Sequence, residues 1–160
     1  MIFEKADTED IKALVELRIA YLSEDYGEIP QEKLSLIADV LPDYYRRHLN
    51  NDLFVFVCRD EDTIVGCCFL YISEKPSNPS FINGKTGTVL NVYTKPEFRK
   101  KGIAGELIKM LLAESRNRHL DYVELKATES GYSLYRSLGF EDAVSKYHSM
   151  KYIIDDRNIS

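Results

Sequence analysis

Two long apolar runs near the middle of the chain limit the fold more than any other feature. The runs are LFVFVCR at 53–59 and IVGCCFLYI at 64–72, separated by the polar segment DEDT. A strand with one face in water alternates apolar and polar residues, whereas a nearly continuous apolar run is typical of a strand covered on both faces. We therefore predict an antiparallel hairpin inside a sheet with helices on both faces.

The segments before this hairpin predict one strand and two helices. IFEK at 2–5 reads as a short strand, and Asp7 or Thr8 then supplies the N-cap of a helix that reaches about residue 23. A second helix is predicted from Pro30, and we expect Pro42 to interrupt it because proline lacks a backbone N–H. The apolar stripe of the first helix consists of Ile11, Leu14, Val15 and Leu22.

The segments after the hairpin predict alternating strands and helices. TVLNVYT at 88–94 is a strand, a helix starts near Gly102, YVELKA is a strand, GYSLYRSL is a short helix, and YHSMKYII at 147–154 is a final strand. One more short strand is allowed after Phe140. The predicted order is therefore β-α-α-β-β-β-α-β-α-β(-β). It describes one α/β domain over 1–160, with a mixed central sheet of six to seven strands and helices on both faces.

Composition excludes several classes of partner. The net charge of −5 argues against broad nucleic-acid binding, and no apolar run approaches the roughly 18 residues of a membrane span. Cysteine and histidine are scattered without metal-ligand spacing, which predicts reduced packing cysteines and no metal site. The N-terminus lacks an apolar signal core, so a cytoplasmic location is expected. Nothing in the sequence sets the oligomeric state, and a homodimer is one arrangement that it allows.

A basic loop, RKKG at 99–102, stands out in this acidic chain. Three interpretations of this loop are possible beside a plain solvated loop. NGKTG at 83–87 resembles the end of a P-loop, but a strand pattern follows it where phosphate binding needs a helix. Gly102 and Gly105 form only part of a dinucleotide fingerprint. In the third reading a strand runs through the loop into a helix, whose free N–H groups can hold a pyrophosphate, with the cations assisting.

The surroundings of the loop favour the third reading. VLNVYTKPEFRKKGIAGELIKMLL at 89–112 resembles the strand-loop-helix signature of the GNAT N-acetyltransferases, whose loop reads [RQ]-x-x-G-x-[GA]. LDYVELKATESGYSLYRSLGF at 120–140 is similar to the next strand and helix of that family, including the LY-x-x-L-G-F pattern. The resemblance covers about residues 86–141, and it implies the GNAT fold and an acetyl-CoA-dependent transfer to a primary amine.

The resemblance also implies roles for individual residues. Tyr135 matches the position whose phenol protonates the departing CoA thiolate. Asn91 is the one amide in an apolar strand, at the expected opening of the sheet. It is either catalytic or a satisfied polar group at a bulge. Backbone groups of Val92, Tyr93 and Thr94 are expected on the pantetheine, with one N–H aimed at the acetyl carbonyl. The residues expected to bind the pyrophosphate are Arg99, Lys100, Lys101, Gly102, Ile103, Ala104 and Gly105.

The chain departs from the family pattern in one loop and in one strand. Thr128, which is expected to contact CoA, stands where Asn is common, and Gly131 stands where Ala is common. The strand TVLNVYT contains no carboxylate that could act as general base. An alkyl amine with a pKa of about 10 is only about 0.1% neutral at pH 7, a deficit of about 4 kcal/mol. A water chain, a high pH optimum or a carboxylate from the first two helices would meet it, and Asp25 and Glu28 are the candidates.

The sequence thus predicts direct acetyl transfer to an amine in a ternary complex, since no activated Cys-His pair is present. The acceptor is a small molecule or a peptide, and the acidic composition favours cationic acceptors without choosing among them. A non-catalytic acyl-CoA-binding sensor or interaction module remains the alternative, because no general base is assigned. A nucleotide-binding protein is a third, less favoured reading.

Overall fold

The computed structural model describes residues 1–155. Nine helices and strands follow one another along this range in the order β-α-α-β-β-β-α-β-α, with short 3₁₀ turns at Thr8–Asp10 and Pro96–Phe98. The strands are β1 (Ile2–Lys5), β2 (Leu53–Asp60), β3 (Thr63–Glu74), β4 (Lys85–Thr94) and β5 (Val123–Glu124). The helices are α1 (Ile11–Tyr26), α2 (Gln31–His48), α3 (Ile103–Asn117) and α4 (Tyr132–Ser137).

The strands form one mixed sheet in the order β1-β2-β3-β4-β5. The first four strands pair antiparallel, and β4 pairs parallel with β5. The β2–β3 hairpin lies inside this sheet, which confirms the prediction drawn from the two apolar runs. Thr86 of the NGKTG segment lies within β4 and no helix follows it, so the P-loop reading is excluded.

Helices cover both faces of the sheet, as predicted. On β3, Cys67 and Phe69 face the helices α1 and α2, while Cys68 and Leu70 face α3. Successive residues of a strand point to opposite faces, and all four side chains are buried because helices cover both faces. The sheet therefore has two apolar cores, and β4 lies between them.

The prediction that Pro42 interrupts the second helix is wrong. The helix α2 runs without a break from Gln31 to His48, with Pro42 inside it. Leu41 and Tyr45 flank the proline and pack on the α1–α2 core. Their burial holds both halves of the helix on the sheet, and this tertiary packing outweighs the local cost of one lost hydrogen bond.

The prediction of six to seven strands is also wrong within residues 1–155, where the sheet has five. YHSMKYII at 147–154 and the segment after Phe140 contain no strand, and the YVELKA strand shortens to Val123–Glu124. A strand needs a neighbouring edge for its hydrogen bonds, but β5 offers only two residues.

A cleft of about 1030 Å³ lies between α3, α4 and residues 140–145, beside β5. The apolar side chains of Val144, Met150 and Ile154 are exposed.

Candidate active site

The edge of β4 that faces β5 opens after two residue pairs. Only Gly87 with Val123 and Thr88 with Glu124 pair across these parallel strands. From Val89 to Thr94, β4 has no partner on this side within residues 1–155. The predicted pantetheine-binding residues Val92, Tyr93 and Thr94 lie in this unpaired stretch. Backbone groups along an open edge are available to a ligand that takes the place of a strand.

A β-bulge lies at the start of the open stretch. Cys67 pairs with Tyr93 and Phe69 with Leu90, so β4 carries one more residue than β3 between these pairs. Asn91 occupies the bulge with φ 52° and is buried. A non-glycine residue in this conformation is uncommon and is typical of bulges and functional sites.

Both ends of the Asn91 side chain have partners on the α1–α2 face. Its Oδ1 accepts a hydrogen bond from Arg18 Nη1 at 3.1 Å, and its Nδ2 donates to Cys67 Sγ at 3.5 Å. The Cys67 thiol donates in turn to the Asn91 carbonyl at 3.7 Å. Asn91 is therefore a satisfied polar group at a bulge, and its predicted catalytic role remains a prediction.

The cysteines near this site are poor nucleophiles. Cys67 is fully buried, and burial raises the pKa of its thiol to about 12, although the Asn91 hydrogen bond and the Arg18 charge act in the opposite direction. Burial likewise raises the pKa of Cys68 well above its usual value. Since the thiolate is the reactive form, both thiols remain protonated and unreactive at neutral pH.

The loop between β4 and α3 presents a row of free backbone N–H groups. Lys100 and Gly102 both have left-handed backbone geometry, with φ 64° and 80°. The first N–H of this region that bonds to a helical carbonyl is that of Glu106, which donates to Gly102 at 3.1 Å. Within residues 1–155, the N–H groups from Lys100 to Gly105 have no protein acceptor. Such a row at the start of a long helix is an anion cradle with positive dipole polarity.

The three cations of the loop differ in their surroundings. Arg99 donates from Nη2 to Glu24 Oε2 at 2.6 Å and from Nε to the Thr94 carbonyl at 2.8 Å. These contacts tie α1 to the end of β4. The ammonium of Lys101 lies 5.2 Å from the centre of the Phe98 ring. Lys100 and Lys101 are exposed, while the guanidinium of Arg99 is already engaged with a carboxylate.

Tyr135 lies on α4, half-buried, with its ring 5.8 Å from that of Phe140. Burial raises the pKa of its phenol to about 12, with smaller contributions in the same direction from Cys68 and Tyr21. The phenol therefore keeps its proton at neutral pH and can donate it. Its hydroxyl has no hydrogen-bond partner in the described part of the chain.

The two departures from the family pattern occur beside this tyrosine. A Cβ atom on Gly131 would lie 3.0 Å from the Tyr135 ring, so glycine lets the ring approach the backbone. Thr128 accepts a hydrogen bond from the Gly131 N–H through Oγ1 at 3.2 Å. Thr128 thus fixes the turn that leads into α4, and its role toward CoA remains a prediction.

Within the part of the chain that the structure describes, the acidic candidates make no hydrogen bond or ion pair with the bulge. Asp25 and Glu28 are both exposed near the end of α1, and neither makes a hydrogen bond or ion pair in residues 1–155. Asp25 acts on the site only through space, since its charge contributes to the raised pKa of Tyr21, for which burial is the larger cause. The general base remains unassigned.

The sequence reasoning missed Arg18 and Tyr21 on α1. Arg18 contacts Asn91, and its guanidinium carbon lies 5.7 Å from the centre of the Tyr21 ring. The signal was present, because Arg18 continues the apolar stripe at the same spacing as Leu14 and Leu22. A charged residue on a core-facing stripe marks a group that needs a partner.

Two further findings concern the described residues as a whole. No helix among them is long and apolar enough to cross a membrane. No cluster of three or more histidine, cysteine or acidic side chains among them could hold a metal ion.

Comparison with solved structures supports one fold. A predicted acetyltransferase from Clostridium acetobutylicum, solved with acetyl-CoA, has 26% identity and a TM-score of 0.82 over 94% of this chain and 95% of that chain. A GCN5-related N-acetyltransferase from Ralstonia eutropha has 24% identity and a TM-score of 0.77 over 93% and 97%. Glucosamine-6-phosphate N-acetyltransferase from Arabidopsis thaliana has 18% identity and a TM-score of 0.69 over 96% and 98%.

The sequence comparisons give the family. No curated protein matches the chain significantly. The model of the acetyltransferase (GNAT) family matches residues 11–140, which include α1, the open edge of β4, the amide cradle and Tyr135. The chain belongs to the GNAT acetyltransferase family.

Proposed function

We propose that the protein transfers an acetyl group from acetyl-CoA directly to a primary amine within one ternary complex. The observation that carries this proposal is the continuity of the open β4 edge with the amide cradle from Lys100 to Gly105. A ligand with an extended amide-containing arm and a pyrophosphate matches these two features in order. The pyrophosphate would lie on the cradle and the arm along the strand.

The transfer balances with one bond made and one broken. The amine nitrogen attacks the acetyl carbonyl carbon, the new C–N bond forms, and the C–S bond of the thioester breaks. A backbone N–H of the stretch from Val92 to Thr94 would stabilise the developing oxyanion. Tyr135 would give its proton to the leaving thiolate, and solvent would then restore that proton. The protonated, half-buried phenol supports this role.

The amine proton would leave by a route outside β4, since that strand contains no carboxylate. A water chain to bulk solvent or to an acid at the end of α1 fits this arrangement, and Asp25 and Glu28 are the candidates that the sequence indicated. The buried thiols of Cys67 and Cys68 offer no acetyl-enzyme route. This disfavours a two-step mechanism and supports direct transfer.

The test combines binding with turnover on the full chain. Calorimetry should detect acetyl-CoA binding, and a screen of small amines, antibiotics and peptides should release CoA thiol with at least one acceptor. The absence of both would refute the proposal. Tight binding without thiol release from any amine would favour the alternative, a non-catalytic acyl-CoA-binding module.

A further inference from the structure

Arg18 differs from every other arginine that the structure describes. Arg18 and Arg59 are half-buried, while the remaining arginines within residues 1–155 are exposed. Arg59 binds two carboxylates, with contacts of 2.5 Å to Glu4 and 2.9 Å to Asp10. Arg18 has no carboxylate within ion-pair distance in the described part of the chain.

A half-buried cation without a counter-ion is costly, because removal from water disfavours the charge. Arg18 donates one hydrogen bond to Asn91 and stacks on Tyr21, and within residues 1–155 it makes no other hydrogen bond, ion pair or ring contact. A guanidinium carries five N–H donors in a planar fork. Most of that fork is therefore unused, in the geometry that matches a carboxylate or phosphate.

The residues around Arg18 form a polar aromatic group, which we call the Arg18 cluster. Burial raises the pKa of the Tyr45 and Tyr44 phenols, and the charge of Arg18 acts on both in the opposite direction. The Tyr45 hydroxyl is fully buried and has no hydrogen-bond partner among the described residues. Within residues 1–155, the cluster thus contains a guanidinium without a carboxylate partner and a buried hydroxyl without a hydrogen-bond partner. Its members are Arg18, Tyr21, Tyr44, Tyr45 and Asn91.

The cluster lies beside the proposed reaction centre. Asn91, which accepts the Arg18 hydrogen bond, is at the bulge where the β4 edge opens. Tyr21, which stacks on Arg18, is close enough to Tyr135 to contribute to its raised pKa, after burial and Cys68. A small acceptor held by Arg18 would therefore have its amine near both the open edge and the phenol.

We propose that Arg18 binds an oxyanion, a carboxylate or phosphate, on the acceptor, so that the substrate is an amine that also carries a negative group. This inference rests on the proposed acetyl transfer and names the substrate class of the same site. The preference comes from this one guanidinium and not from the net charge of the chain or from a positive field over the whole site. After burial, the charges of Asp25 and Asp52 act on the pKa values of Tyr21 and Tyr44 in the direction opposite to Arg18. A further ammonium of a polyamine would meet like charge at Arg18, whereas the carboxylate of an amino acid or the phosphate of an amino phosphate would meet the opposite charge.

The test uses matched acceptors and the full chain. Binding by calorimetry to the protein saturated with CoA, and thiol release with acetyl-CoA, would be measured for α- and ω-amino acids and amino phosphates. Each acid would be compared with its amide, each phosphate with its dephosphorylated amine, and spermidine would represent polycations. We expect the anionic member of at least one pair to bind and react roughly 10- to 100-fold better, the range of a charge-assisted hydrogen bond.

Two variants separate binding from structure. Arg18→Gln should raise KM for the preferred anionic acceptor by roughly 10- to 100-fold while leaving the affinity for acetyl-CoA unchanged. Arg18→Lys should retain a phosphate acceptor better than a carboxylate, because it keeps the charge and loses the fork. Arg46→Gln is the control, since Arg46 is an exposed arginine of α2 without a hydrogen bond or ion pair in the described chain.

The outcomes distinguish this inference from the proposed function. If acetyl-CoA binds but no anionic member outperforms its neutral partner, or if Arg18→Gln weakens all acceptors equally, Arg18 has only a structural role and the inference is wrong. If acetyl-CoA itself fails to bind, the proposed function fails first.

Discussion

The amide cradle and the Arg18 cluster both attract negative charge, but they do so by different means. The cradle uses backbone N–H groups from Lys100 to Gly105, which any sequence with this loop geometry would present. The cluster uses one guanidinium, placed by the packing of α1 against β4. Backbone recognition suits a cofactor shared by a whole family, whereas side-chain recognition can change from one member to the next.

The largest effect is expected at Tyr135, the proposed proton donor of the transfer. Tyr135→Phe removes the proton donor and keeps the ring, so turnover should fall by about 100-fold or more. The affinity for acetyl-CoA should stay the same, because the cradle is unchanged. Steady-state kinetics and calorimetry on the variant check this, and an unchanged turnover would remove the acid role.

A second prediction compares the paired and the unpaired half-buried arginine. Arg59→Gln leaves Glu4 and Asp10 without their cation and should lower the free energy of unfolding by about 2 kcal/mol. Arg18→Gln removes a charge with no carboxylate partner and should cost less than about 1 kcal/mol. Urea unfolding of both variants measures the difference. Equal losses would mean that Arg18 is as well compensated as Arg59.

The sequence predicted the amide cradle better than the Arg18 cluster, because the cradle depends on one segment and the cluster on distant ones. Gly102 and Tyr135 were found because the loop and the short helix depend on neighbours within one segment. The Arg18–Asn91 contact joins residues 73 positions apart, and no pattern within one segment predicts such a contact. The failures have the same origin. Pro42 predicts a break by its local chemistry, but the packing of α2 on the sheet keeps the helix continuous. YHSMKYII has the composition of a strand, but β5 provides only two residues as an edge for it.

The third prediction tests the cradle. Gly102→Ala places a Cβ at φ 80°, which costs about 1–2 kcal/mol and should weaken acetyl-CoA binding by roughly tenfold. Gly27→Ala is the control outside the loop, because Gly27 also has a positive φ, of 74°, and open space around its Cβ position. Its ψ of −133° is harder for alanine to adopt than the left-handed conformation of Gly102, so Gly27→Ala should lose at least as much stability in thermal melts. Only Gly102→Ala should lose affinity in calorimetry, and an equal loss in both would argue against a cradle at α3.

The last prediction concerns the upper part of the pH profile, where no loss of activity is expected. The pKa of Tyr135 is raised to about 12, so its acid form persists well above neutral pH. The value of kcat/KM should therefore rise with pH as the acceptor amine loses its proton, and it should not fall again below about pH 10. A descending limb between pH 8 and 9 in steady-state measurements would assign the proton donor to another group.

The central claim is direct transfer from acetyl-CoA to an amine at the open edge of β4. A single-turnover experiment with excess enzyme, radiolabelled acetyl-CoA and an accepted amine tests it, with protein and product separated by rapid quenching. We predict that the label passes from CoA to the amine with one thiol released per amide formed, and that no label remains on the protein. Label bound covalently to the protein before the product appears would contradict direct transfer.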